Sequence, residues 1–365
     1  MARVEQKNDP VTTRSNSRPP RHARKPSFLG RPLAGAIAVI TAAVIASVGI
    51  FLFYQYSPDR PPALIQAGNS KTKCLNVAPG APLRQAERDI GMTFNCLETF
   101  TNQDLDWSGW VSPWITENGY GYNTWLLADP ARRQIVMTTT LVPKNVAKDP
   151  QWTANCAAGD YNSYARKLAG NLVHRGFGYS VIRLGAEMNG TWNAGSLGTT
   201  VTAWHQWGQC FAQEVQAMRE AKGAHFLFDW NINANYRNIP LADFYPGNSY
   251  VDMIGVDAYD ASGTPGATLP PVGSPARWRA LTNEPDGLNA VEKFAAEHGK
   301  PLSIPEWATV SWQGDDANYV TQMGAFIADH DVAFHSWFDD GNDQVLVLSR
   351  AQAPRSLAAY VKAFG

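Results

Sequence analysis

Several kinds of chemistry are missing from this chain of 365 residues. Its four cysteines form no Cys-x-x-Cys pair and its seven histidines no His-x-x-x-His spacing, so no metal site is expected. There is no glycine-rich phosphate loop and no dinucleotide fingerprint, so no cofactor is expected either. A formal net charge of −1 hides a split between a basic N-terminal tail and a mildly acidic remainder, and the remainder suits a neutral substrate better than a polyanion such as nucleic acid. Charge is absent altogether from Pro32 to Pro58.

That uncharged stretch divides the chain. Leu33 to Tyr54 is apolar and long enough to cross a hydrocarbon core of about 30 Å, which predicts one transmembrane helix over 32–56. A cleaved leader would have an apolar core of roughly 7–15 residues ending in a small-residue cleavage site. Here the run closes on Phe51, Phe53, Tyr54 and Tyr56, an aromatic pattern suited to a membrane interface. Residues 1–31 carry Arg3, Lys7, Arg14, Arg18, Arg21, Arg24, Lys25 and Arg31 against Glu5 and Asp9. The positive-inside bias therefore keeps this tail cytoplasmic and places everything after Tyr56 outside. With few apolar residues to bury, the tail is expected to be disordered.

Residues 57–72 read as a Pro-rich spacer, and 73–365 as one extracytoplasmic domain. All four cysteines fall on the outer side, where an oxidising setting permits disulfides. Sequence order suggests Cys74 with Cys96 and Cys156 with Cys210, one of three possible pairings.

Eight strand-like runs follow: Leu75–Val77, Phe94–Thr101, Gln134–Leu141, Tyr179–Glu187, His225–Asn233, Val251–Tyr259, Pro301–Glu306 and Val332–Phe338. Most are continuous apolar runs, as expected for strands covered on both faces. Helical faces separate them: Tyr161 to Val173 before Gly176, Trp204 to Met218 before Gly223, and Leu288 to His298 before Gly299. No shorter internal repeat is present. Alternation of strand and helix implies parallel βα units, and eight of them imply closure. The expected class is α/β, a (β/α)8 TIM barrel preceded by a transmembrane helix.

Acids at strand ends of such a barrel converge on one mouth although they are distant in sequence. Glu187 and Glu306 are placed this way, and two converging carboxylates are the minimal equipment for breaking a glycosidic bond. Period-two geometry puts Arg183, Gly185 and Glu187 on one face of the fourth strand. A buried Arg183 would need acidic partners and could hold them in position. Asn189 and Trp192 follow in a loop, an amide and an indole suited to a sugar's hydroxyls and ring. On the sixth strand Asp257 and Tyr259 share a face, so the phenol could hydrogen-bond Glu306 on the next strand. Tryptophans near strand ends (Trp107, Trp110, Trp192, Trp230, Trp307, Trp337) are candidates for sugar platforms.

Three blocks carry a resemblance. Val181 to Trp192 (VIRLGAEMNGTW), Tyr245 to Tyr259 (YPGNSYVDMIGVDAY) and Lys300 to Trp307 (KPLSIPEW) resemble the signatures of glycoside hydrolase family 26. That family is typified by endo-β-mannanases, with relatives acting on mixed-linkage β-glucan and β-1,3-xylan. The resemblance implies Glu187 as general acid/base, Glu306 as nucleophile and Tyr259 as its hydrogen-bond partner. It also implies that Arg183, Asn189, Trp192, Trp230 and Trp337 line the subsite of the reacting sugar; Asn233 and Asp257, at the ends of the fifth and sixth strands, are further candidates for binding substrate. Family mannanases usually carry His before the acid/base; this chain has Ala186, a departure that bears on which sugar is recognised.

The expectation is thus a retaining hydrolase of a β-linked polysaccharide. A barrel that binds polysaccharide without cutting it, as a surface receptor or part of an export machine, and a transglycosylase remodelling envelope glycan are the other readings.

Overall fold

In the computed structural model, described residues are 64–65, 70–101, 106–263, 268–341 and 344–365. The tail, the apolar run 32–56 and most of the spacer lie outside them. Among the described residues no helix is long and apolar enough to cross a membrane.

Eight parallel strands close into a barrel in sequence order. They are β1 (Thr72–Asn76), β2 (Cys96–Phe100), β3 (Gln134–Thr139), β4 (Val181–Leu184), β5 (Leu227–Asn233), β6 (Met253–Asp257), β7 (Leu302–Trp307) and β8 (Val332–Phe338). Each of the predicted runs holds a strand. β1 begins earlier than expected, at Thr72, because pairing with β8 extends it to Phe334. β4 ends earlier, at Leu184, because Gly185 takes a left-handed φ of 63°.

Helices fall where the apolar periodicity places them, at Asn162–His174, Val201–Arg219 and Leu288–Glu297. The first ends before Gly176, whose φ of 92° suits a residue without a Cβ. Helix faces and outward strand residues, among them Ile182, Leu184, Trp230, Ile232 and Trp337, share one continuous apolar shell.

Inside the barrel the layers differ in kind. A floor of Cys74, Cys96, Val136, Val181, Met253, Ala333 and Phe334 is apolar. The next residues inward along the strands are polar: Glu98, Thr138, Arg183, Asp229 and Ser336, all buried. Gly255 belongs to this level, and a Cβ there would lie 2.5 Å from Asp229 Oδ1 and 2.9 Å from Ser303 Oγ. Only a residue without a side chain leaves the polar layer its room.

Both disulfides follow sequence order. Cys74–Cys96 staples β1 to β2 at the floor, and Cys156–Cys210 joins helix Trp152–Ala157 to helix Val201–Arg219. One turn along from Cys210, Glu214 is fully buried, with Oε1 3.7 Å from Cys156 Sγ and no hydrogen-bond partner on Oε2.

Candidate active site

Arg183 is the centre around which the mouth is built. Period two turns it inward on β4, where it is wholly excluded from water. Nη1 donates to Glu98 Oε1, to Thr138 Oγ1 at 2.9 Å and to Glu306 Oε1 at 2.8 Å. Nη2 donates to Asp257 Oδ2 at 2.6 Å and Asn231 Oδ1 at 3.0 Å, and Nε lies 3.8 Å from Asp229 Oδ2. One cation thus ties β2, β3, β4, β5, β6 and β7 together.

Glu306, on β7, is 6% exposed. One oxygen accepts from Arg183 and the other from Tyr259 Oη at 2.8 Å, so both are held in place. Its backbone N–H donates to Asp257 Oδ1 at 3.0 Å. Burial and the surrounding negative charges push the Tyr259 phenol well above its ordinary range, so it stays a donor.

Glu187 arrives by a different route from the expected one. β4 has stopped at Leu184, and Gly185 and Glu187 both adopt left-handed backbone, φ 63° and 51°. That turn, pinned by the Glu187 N–H donating to Asn231 Oδ1 at 3.0 Å, swings the carboxyl over the mouth. A non-glycine residue in this conformation is strained, and such strain concentrates at functional sites. Asn233 Nδ2 donates to Oε1 and Trp192 Nε1 to Oε2, both at 2.5 Å. Burial, with the nearby charge of Glu306, pushes the Glu187 carboxyl up to about 7; Asn233 and Trp192 pull it the other way.

Carboxylate oxygens of Glu187, Asp257 and Glu306 lie within 4.8 Å of one another. Geometrically this trio could hold a divalent cation. Two of the three carboxylates, however, are already bonded to Arg183, which supplies the counter-charge a metal would bring.

Not every residue expected at the subsite reaches it. Trp230 is 0% exposed and packs outward on Phe244, Tyr245 and Phe294. Trp337, also 0% exposed, packs on Trp307 and Tyr360 in the outer shell. Both sit at out-facing positions of their strands, whose inward neighbours are Asp229 and Asn231 on β5 and Ser336 and Phe338 on β8. Asn189 is 2% exposed, with its amide spent on the backbone of Asn233. Asp257 and Arg183 are buried within the charge cluster. Of the six tryptophans near strand ends Trp192 is the exposed one, at 45%, edge-on to Tyr236 with ring centroids 4.7 Å apart.

Sequence reasoning missed Glu98, Asn231, Tyr236 and the aromatic rim of Phe100 and Phe338, whose rings meet edge-on at 5.7 Å. Glu98 did carry a signal: an acid in a strand whose inward set, by period two, is Cys96, Glu98 and Phe100.

The family model described as glycosyl hydrolase family 26 matches residues 169–269, a segment that contains Arg183, Glu187 and Tyr259 and stops short of Glu306. No curated protein sequence matches the chain. Among solved structures the chain is similar to the GH26 β-mannanase BoMan26A of Bacteroides ovatus (13% identity over 82% of this chain and 88% of that one, TM-score 0.59). It is also similar to a modular endo-β-1,4-mannanase from Cellulomonas fimi (16%, 81% and 72%, TM-score 0.55) and to the Bacillus subtilis mannanase BCman (16%, 81% and 86%, TM-score 0.52). At such identities the likeness is one of fold: this chain shares the (β/α)8 barrel of those mannanases, and over residues 169–269 it carries the family 26 pattern.

Proposed function

We propose that this protein is a retaining glycoside hydrolase acting on a β-linked polysaccharide, with Glu187 as acid/base and Glu306 as nucleophile. The observation that carries the reading is the close approach of these two acids, oxygens within 4.8 Å, in unlike surroundings. Retaining enzymes separate their carboxyl groups by about 5–5.5 Å and inverting ones by about 6.5–9.5 Å, so the short gap favours retention. Pairs of acids whose environments differ divide the roles of proton donor and nucleophile. Glu187, raised to about 7, keeps its proton near neutrality, while both Glu306 oxygens accept hydrogen bonds.

In the first step Glu187 gives its proton to the glycosidic oxygen, the bond from that oxygen to the anomeric carbon breaks, and Glu306 forms an ester to the carbon. In the second, Glu187 takes a proton from water, whose oxygen displaces Glu306 and releases a sugar of unchanged anomeric configuration. Trp192, exposed and bonded to Glu187, is placed to stack on a sugar beside the scissile bond.

Mannan-like glycans are the first substrates to try, given what the similar solved structures are called, and related β-glucans and xylans the next, because Ala186 stands where mannanases usually carry His. The proposal extends to location: a single-pass membrane protein with its N-terminus cytoplasmic and the barrel outside. The uncharged run 32–58, its basic flank and two disulfides support this.

The test is to incubate the protein with mannan, glucomannan, mixed-linkage glucan and xylan, following product size and anomeric configuration. Cleavage with retention, abolished in Glu306→Ala and in Glu187→Ala, is expected. Binding without cleavage on every glycan would replace the hydrolase by a receptor, and cleavage surviving Glu306→Ala would remove the nucleophile.

A further inference from the structure

Arg183 faces more negative charge than one cation can offset. Glu98, Asp229, Asp257 and Glu306 all lie within ion-pair distance of it, and Arg183, Glu98, Asp229 and Asp257 are wholly excluded from water. Four ionised carboxylates against one guanidinium would leave a surplus of negative charge in a dry barrel, which burial penalises heavily. Protons must therefore remain in the cluster, and the hydrogen-bond inventory indicates where.

Asp257 accepts on both oxygens, from Arg183, from Asn231 Nδ2 at 3.0 Å and from the Glu306 N–H. Glu306 likewise accepts on both. Glu98 and Asp229 differ: Glu98 Oε1 accepts from Arg183 and Asp229 Oδ1 from Ser303, but Glu98 Oε2 and Asp229 Oδ2 have no hydrogen-bond partner. The group facing Glu98 there is the Ser336 hydroxyl on β8, itself buried and otherwise without a hydrogen-bond partner. The Ser336 hydroxyl can donate to an ionised Oε2, but that ionisation would add a third negative charge to those of Glu306 and Asp257 around a single guanidinium. A carboxylic acid has one more donor, and Ser336 Oγ is an idle acceptor for it.

We propose that Glu98 is a positioning residue that works as a neutral carboxylic acid: its hydroxyl donates to Ser336, its carbonyl oxygen accepts from Arg183, and the guanidinium charge is left to Glu306 and Asp257. Glu98 and Glu306 accept from the same Arg183 nitrogen, so the charge on one sets how firmly Arg183 holds the other. The groups facing Glu98 are Arg183 on β4, Glu306 on β7 and Ser336 on β8, with Asp257 on β6 also coupled to it by charge; Arg183 favours its ionised form and the two acids its neutral one. Burial outweighs Arg183 and lifts the acid to about 8; it lifts Asp229 and Asp257 as well, and the three donors that Asp257 accepts from are what keep the charge there. An acid raised on folding stabilises the fold below its ordinary range and loses that contribution as pH climbs to the raised value.

The inference rests on the hydrolase reading only for its kinetic readout; stability and infrared readouts stand without it. Glu98→Gln keeps shape, carbonyl and donor while removing the titration. Its thermal midpoint is expected to match the wild type near about pH 5 and to exceed it increasingly toward about pH 8. The infrared difference between wild type and Glu98→Gln at neutral pH should contain one protonated-carboxyl carbonyl band, shifted in heavy water. If the protein cleaves glycan, the alkaline limb of kcat/KM, steepened in the wild type by ionisation of Glu98 beyond that of Glu187, should be shallower in Glu98→Gln. An ion pair with Arg183 would give the opposite: Glu98→Gln destabilised at every pH, since breaking a buried pair strands the partner charge, and no carbonyl band lost. Either of those results overturns the proposal.

Discussion

Asn189 and the backbone of Asn233 are joined twice: Asn189 Oδ1 accepts from the Asn233 N–H and Asn189 Nδ2 donates to the Asn233 carbonyl, both at 2.8 Å. The pair locks the loop after β4 to the end of β5, and it is this lock that presents the Asn233 side chain to Glu187. Asn189→Ala removes both bonds from a buried position. A loss of about 1–3 kcal/mol in urea unfolding is expected, from two half-buried backbone groups left without partners. A residue whose task was to bind sugar would instead raise KM and leave the unfolding midpoint unmoved.

Trp192→Phe keeps a ring over the mouth and deletes the indole N–H that donates to Glu187 Oε2. That donor favours the charged carboxylate, so its loss lets the acid rise above about 7. The alkaline limb of kcat/KM should move to higher pH, a shift visible in a rate profile on a small aryl glycoside. A limb that stays in place would mean that the indole N–H does not set the titration of Glu187.

Tyr259→Phe removes one of the two donors to Glu306. A hydrogen bond to a charged group contributes about 1.5–3 kcal/mol, so kcat/KM should fall about 10- to 100-fold. The fold should be untouched, as judged by circular dichroism. Full activity in this variant would show that Arg183 alone orients the nucleophile.

Glu214 offers a test away from the mouth. Burial pushes its carboxyl well up, with no cation to offset it. By the sign of that shift its stabilising protonated state is lost as pH rises, so Glu214→Met should raise the melting temperature more in alkali than in acid. A gain of about 1–3 kcal/mol is expected, the cost of an unsatisfied buried polar group. Equal midpoints at both ends of the pH range would refute it.

Much of this geometry was legible as periodicity. Apolar runs and helix faces placed all eight strands, and period two along β4 placed Arg183 correctly between Ile182 and Leu184. The same rule applied to β5 and β8 turns Asp229, Asn231, Ser336 and Phe338 inward and Trp230 and Trp337 outward, against the subsite assigned to those two tryptophans by resemblance. Alternation within a strand is local physics and survives in the fold; a role carried over from relatives does not have to respect it. What no pattern revealed was the route of Glu187. It depends on two left-handed residues after β4, and left-handed backbone at a glutamate leaves no mark in hydropathy. Glu98 was hidden for another reason: a single acid in an apolar strand acquires meaning only when the cation it meets, from β4, is known.

The polar middle layer constrains any attempt to toughen this protein. Replacing a buried ion cluster by well-packed hydrophobes is often neutral or stabilising, but here the same guanidinium that plugs the interior also grips Glu306, the proposed nucleophile. Hardening by repacking must leave that storey untouched, so thermal resistance has to be sought in the floor beneath it or the helices around it.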